Sequence, residues 1–80
     1  MEKQEVLKKL NEIFAEVLKK PDLCLTESMS TDDIDGWDSL TNMMIISEIE
    51  KRFEFHLKMR DIIRMRTVGD MCNVILKRIA

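Results

Sequence analysis

Glycine and proline together supply only three of the 80 residues, and no uninterrupted apolar run is longer than the four residues from Met43 to Ile46. A bilayer span needs about 20 consecutive, mostly apolar residues, so a transmembrane helix is excluded. The charged N-terminus, MEKQEVLKKL, also lacks the apolar stretch and small-residue cleavage site of a secretory signal, and a cytoplasmic protein is expected. Apolar residues nevertheless make up 45% of the chain against a net charge of only -2, which is too apolar and too weakly charged for intrinsic disorder. A chain of this length encloses one small core, so residues 1–80 are expected to form a single domain.

Metal and disulfide patterns are missing too. Cys24 and Cys72 stand far apart, with no CxxC pair and no histidine cluster, and reduced, partly buried thiols are expected. The single histidine, His56, lies between Phe55 and Leu57 with no second His or Cys beside it to complete a metal shell. A nucleophilic serine requires a positioned base and an oxyanion hole, yet neither a GxSxG elbow nor a His-Asp pair is present. No catalytic residue and no metal ligand are therefore assigned.

The small net charge conceals an asymmetry. Residues 1–21 carry +1, residues 22–54 carry -7, and residues 55–80 carry +4. An acidic middle repels a phosphate backbone and steers toward basic protein surfaces, while the basic C-terminal third has no base-reading motif. Nucleic acid is not an expected partner. Lys58, Arg60, Arg64 and Arg66 either belong to a partner interface or, the favoured expectation, balance the acidic loop at modest energy.

Apolar spacing is helical at both ends. Val6, Leu7, Leu10, Ile13, Phe14, Val17 and Leu18 line one stripe of a first helix from about Lys3 to Leu18. From Pro21 to Trp37 the sequence is rich in Asp, Thr and Ser, which predicts a loop of about 17 residues pinned by Leu23, Leu25, Ile34 and Trp37. A second helix starts near Asp38, whose carboxylate can accept bonds from the first free N–H groups, and runs to Phe53. Phe55 to Leu57 reads as an extended link, and Asp61 to Arg64 as a minor third helix. Thr67 with Asp70 three residues on is capping-box-like, and Val68, Met71, Cys72, Ile75, Leu76 and Ile79 form the stripe of the last helix. No strand alternation is present. The expected fold is all-α, a small bundle of three main helices and one short one.

The second helix is more apolar than one buried face requires. If Ile45, Ile46, Ile49 and Phe53 face inward, Leu40, Met43 and Met44 fall toward the rim or solvent, either as a docking patch or, for the two methionines, tucked under the long loop. Ser39 opens the same helix, where unpaired N–H groups and the positive end of the dipole favour a phosphate ester on its hydroxyl. A neighbouring carboxylate can hold Mg²⁺ during transfer from a pyrophosphate donor. By spacing alone, an ordinary cap or first-turn residue is the favoured reading of Ser39.

The run Asp35-Gly36-Trp37-Asp38-Ser39-Leu40 lies between an acidic loop and an apolar helix that ends in Glu50-Lys51-Arg52-Phe53. It resembles the carrier-domain signature of acyl carrier proteins. The resemblance covers nearly the whole chain, down to Thr67-Val68-Gly69-Asp70 at the start of the last helix. It implies that Ser39, flanked by Asp38 and Leu40, bears 4'-phosphopantetheine from coenzyme A, attached by a Mg²⁺-dependent phosphopantetheinyl transferase. It also implies a non-catalytic carrier of acyl thioesters, loaded by a ligase or synthase and served by downstream acyl-processing enzymes; a monomer is the default expectation. By position in the family, Leu40, Met43, Met44, Ser47 and Glu48 would meet these partners, with Asp35 and Asp38 flanking the arm.

Met44 stands where fatty-synthesis carriers commonly have an acid, and Lys51 and Arg52 interrupt the acidic tail of the helix. This departure suggests a carrier of a more specialised lipid, polyketide, nonribosomal peptide or glycan-modifying pathway. The alternatives are a stand-alone peptidyl or aminoacyl carrier, and a helical adaptor that uses the apolar patch without any prosthetic group.

Overall fold

The computed structural model describes residues 1–79 as four helices: α1 (Lys3–Leu18), α2 (Ser39–Phe53), α3 (Met59–Arg64) and α4 (Val68–Ile79). Among the described residues there is no strand. α1 packs against both α2 and α4, while α3 packs on α4.

Each main helix contributes an apolar stripe to one cluster. Val6, Leu10, Ile13 and Phe14 come from α1, Ile45, Ile46 and Ile49 from α2, and Val68, Met71, Cys72 and Ile75 from α4. Phe53, expected in the core, is only half-buried: it packs on the cluster from the last position of α2, edge-to-face with Phe55 and beneath the Lys9 ammonium. The thiols also differ from expectation. Cys24 lies exposed on the loop, and Cys72 is fully enclosed because it falls on the inner stripe of α4; both are free. Burial raises the Cys72 thiol pKa by disfavouring the thiolate.

Two helices end without glycine. Lys19 and Glu54 take the left-handed conformation at the C-caps of α1 and α2, with φ of 56° and 57°. At the start of α4, Asp70 N–H donates to Thr67 Oγ1 at 3.1 Å and Thr67 N–H to Asp70 Oδ2 at 3.2 Å, the reciprocal cap its spacing predicts.

The loop over residues 19–38 is tied down twice. Leu25, Ile34 and Trp37 are buried in the core, with Leu23 half-buried, as the sequence predicts. Polar ties give the rest of the anchorage. Asn11 on α1 donates to Leu23 O at 3.0 Å and accepts from Leu25 N–H at 2.7 Å. The free amides of α4 also reach back to the loop, Val68 to Met29 O at 2.9 Å and Gly69 to Glu27 O at 2.8 Å. A Cβ on Gly69 would stand 3.1 Å from that same Glu27 oxygen, so the close approach favours glycine.

The ion pair joining the loop to a helix comes from Lys3, to Glu27 at 2.6 Å. The expectation that the late basic residues balance the acidic loop holds at most for Arg66, which shares a groove with Asp32 and Asp38. Arg60 and Arg64 project instead into a cleft with Lys77, because α3 packs on α4.

Candidate functional site

The start of α2 is a network assembled from five consecutive residues and their neighbours. Gly36 turns the chain with φ of 88°, a value that disfavours any side chain. Trp37 then enters the core, edge-to-face on Phe14 at 4.8 Å, and its indole N–H donates to Asn42 Oδ1 at 2.9 Å. Asp38 Oδ1 accepts from the amides of Leu40 and Thr41, both at 3.0 Å. Thr41 answers by accepting from Asp38 N–H at 2.9 Å and donating its hydroxyl to Gly36 O at 2.6 Å. The cap at Asp38 is legible in the sequence; the reciprocal role of Thr41 is not, because threonine is an unusual substitute for Glu or Gln at that position. The Thr41 amide, first among several donors, holds the Asp38 carboxyl below the usual carboxylate range, so it is ionised at neutral pH.

Ser39 occupies the first position of α2 and is exposed. Asp38 satisfies the amides of Leu40, Thr41 and, through its carbonyl, Asn42. Among the described residues, Ser39 N–H is the first-turn amide left without a partner, and no side-chain hydrogen bond uses its hydroxyl. The hydroxyl is thus free for attack, and an anion formed on it meets an open donor at the positive end of a helix. Beside it lies a shallow groove of about 360 Å³ containing Trp37, Asn42, Met65 and the cation Arg66.

The apolar residues of α2 separate as the docking expectation requires in position. Leu40 is 75% exposed, Met43 59% and Met44 51%, so neither methionine tucks under the loop. With Ser47, Glu48 and Val17 they line an open groove of about 420 Å³. Val17 was legible only as part of the α1 stripe; its place at the edge of that stripe brings it into the groove. Leu40, next to Ser39 in the chain, lines this groove and not the one beside the serine. Asp35 sits exposed on the loop, outside both grooves. No group of three His, Cys, Asp or Glu among the described residues is placed to hold a metal ion.

Residues 8–75 match the family described as the phosphopantetheine attachment site. An acyl carrier protein from Kineococcus radiotolerans is 40% identical over 68 residues, covering 84% of this chain and 83% of that one. The chain belongs to the acyl carrier protein family. Its fold also superimposes on the solution structure of a holo acyl carrier protein from Geobacter metallireducens, with a TM-score of 0.83, 31% identity, and coverage of 89% of this chain and 82% of the other. Acyl carrier proteins are non-catalytic and bear 4'-phosphopantetheine covalently, and their partners are a phosphopantetheinyl transferase and acyl-processing enzymes. The carrier fold agrees with the chemistry of the site, which offers an accessible hydroxyl and an anion-stabilising helix start. No helix among the described residues is long and apolar enough to cross a membrane.

Proposed function

We propose that Ser39 is the residue esterified by 4'-phosphopantetheine and that the chain presents acyl groups, held as thioesters, to the enzymes of a specialised biosynthetic pathway. The observation that carries the assignment is the pairing of an exposed, uncommitted hydroxyl with the unpartnered Ser39 N–H at the start of a capped helix. In the transfer, the Ser39 oxygen forms a bond to the phosphorus of the pantetheine half of coenzyme A, the pyrophosphate bridge breaks, and 3',5'-bisphosphoadenosine leaves. The serine proton passes to a base on the transferase, Asp38 being engaged in capping the helix.

Once attached, the arm supplies a terminal thiol whose thioesters are more electrophilic than oxygen esters. The chain's own residues provide a rigid mount for it. Asp38 and Thr41 fix the first turn, and Trp37 anchors the preceding loop in the core. The groove of Leu40, Met43, Met44, Ser47 and Glu48 supplies an adaptable surface for the transferase and acyl-processing enzymes, because methionine side chains adjust to differently shaped partners. Its apolar character at Met43 and Met44, in place of a continuous acidic face, supports service in a specialised lipid, polyketide or related pathway. The exposed thiol of Cys24 is in keeping with a reducing compartment, the cytoplasm.

Intact mass spectrometry tests the assignment after incubation of purified protein with coenzyme A, Mg²⁺ and a broad-specificity phosphopantetheinyl transferase. The wild type should gain one phosphopantetheine and Ser39→Ala none. Modification of Ser39→Ala, or no gain by folded wild type while a known carrier is modified in parallel, would overturn it.

A further inference from the structure

The cleft between α3 and α4 lies in neither of the grooves described above and takes no part in the carrier chemistry. Arg60, Asp61, Arg64, Val74, Lys77 and Arg78 enclose about 360 Å³ there. Four cations thus surround one carboxylate, in a protein whose overall charge is -2.

The single carboxylate is already committed. Asp61 is 8% exposed, and its Oδ2 accepts from Arg78 Nε at 3.1 Å, from Arg78 Nη2 at 2.5 Å and from Lys58 N–H at 3.1 Å. That pairing fixes Arg78 in the wall and leaves Arg60, Arg64 and Lys77 without an ion-pair partner among the described residues. Asp70 borders the adjoining depression with Asn73, but its Oδ2 accepts from Thr67 N–H.

Helix stability explains only part of the cluster. Lys77, in the last turn of α4, and Arg64, in the last turn of α3, suit the helix dipoles. Arg60 lies in the first turn of α3, the end that disfavours a cation, and stands four residues before Arg64, where like charges repel. This arrangement is unfavourable in isolation and is relieved by an anion. A carboxylate carries one charge on two oxygens and pairs with a single arginine fork, whereas a phosphate monoester carries about -1.5 to -2 near neutral pH and presents three acceptor oxygens. Three convergent cations therefore fit a phosphate better than a carboxylate.

We propose that the α3–α4 cleft is a binding site for a phosphate ester, with Arg60, Arg64 and Lys77 as its ligands and the Asp61–Arg78 pair as its wall. The site is independent of Ser39 and of the arm. Its phosphate is a monoester, carried either by a soluble compound or by a phospholipid headgroup that ends in a phosphate monoester.

Amide chemical shifts followed during titration with inorganic pyrophosphate at low ionic strength test the site. Wild type should show saturable shifts centred on residues 60–64 and 74–78. Binding should weaken by about tenfold or more in Arg60→Gln/Arg64→Gln, with loss of two charge-assisted contacts, and hold within about twofold in Lys8→Gln/Lys51→Gln, an equal loss of two charges at exposed positions elsewhere. Both arginines are exposed, so circular dichroism of the double variant should match wild type. Lys77→Gln gives a second reading should that spectrum differ.

Sedimentation with phosphatidylcholine vesicles containing phosphatidic acid, whose headgroup is a phosphate monoester, then separates the two sources. Co-sedimentation abolished in the double arginine variant assigns a headgroup, and saturation by pyrophosphate without vesicle binding assigns a soluble phosphate ester. Shifts that fail to saturate, that scatter over all surface cations, or that weaken equally in Lys8→Gln/Lys51→Gln would overturn the proposal.

Discussion

The indole N–H of Trp37 donates to the side-chain oxygen of Asn42 at 2.9 Å, joining the buried end of the long loop to α2 two residues before and three residues after Ser39. The bond lets the ring enter the core without leaving a polar atom unpaired. It also sets the angle at which α2 departs from the loop, and with it the position of the serine.

Asn42→Ala strands that donor in the core. The expected cost is about 1 to 3 kcal/mol in urea unfolding, with a shift in tryptophan emission. Asn42→Asp keeps an acceptor and should recover most of the loss. An Asn42→Ala protein as stable as wild type would show that water replaces the amide.

The α2 stripe can be read by comparing two truncations. Ile49 is fully buried, so Ile49→Ala should destabilise by about 2 to 5 kcal/mol. Phe53 is half-buried at the helix end, and Phe53→Ala should fall short of the 3 to 5 kcal/mol, roughly, of a buried phenylalanine. Equal losses in chemical unfolding would place Phe53 deeper than its packing shows.

Met44→Glu tests the exposed groove. At 51% exposure Met44 contributes little to the core, so stability should stay within about 0.5 kcal/mol of wild type. Acceptance by the phosphopantetheinyl transferase should change, read as a higher or lower KM for the carrier. A large fall in melting temperature would assign Met44 to the fold instead.

Acid should weaken the protein through two carboxylates. Backbone donors, Lys58 N–H first for Asp61 and Thr41 N–H first for Asp38, hold both pKa values below the usual range, with Arg78 adding to the effect at Asp61. A lowered folded-state value means that the stabilisation is complete above the ordinary carboxylate pKa of about 3.9 and is lost as pH falls through the folded-state value. Thermal melts should therefore drop on the acid side. Asp61→Asn should melt lower than wild type at neutral pH and show a shallower acid decline, and an unchanged acid slope would remove Asp61 as a cause.

The helix pattern, the cap at Asp38, the cap at Thr67 and the rim position of Leu40 were legible in the sequence because each depends on residues within a turn or two of one another, whereas whether Met43 and Met44 lie open or under the loop depended on where the loop packs. Spacing of three and four fixes which side chains share a helix face, whatever the helix packs against. The Asp-Ser-Leu triplet was legible for the same reason, since the serine's position at a helix start is a local property. The long loop was legible as a loop, and its apolar anchors as anchors.

Only the tertiary structure decided what joins distant segments. Asn11 binds the loop from α1, the α4 amides take Glu27 and Met29 carbonyls, and the packing of α3 on α4 brings Arg60 and Arg64 to Lys77. These contacts couple residues far apart in sequence through backbone groups that carry no compositional signal. Cys24 and Cys72 make the same point: identical side chains, one exposed and one sealed, distinguished by which surface the neighbouring helix happens to cover.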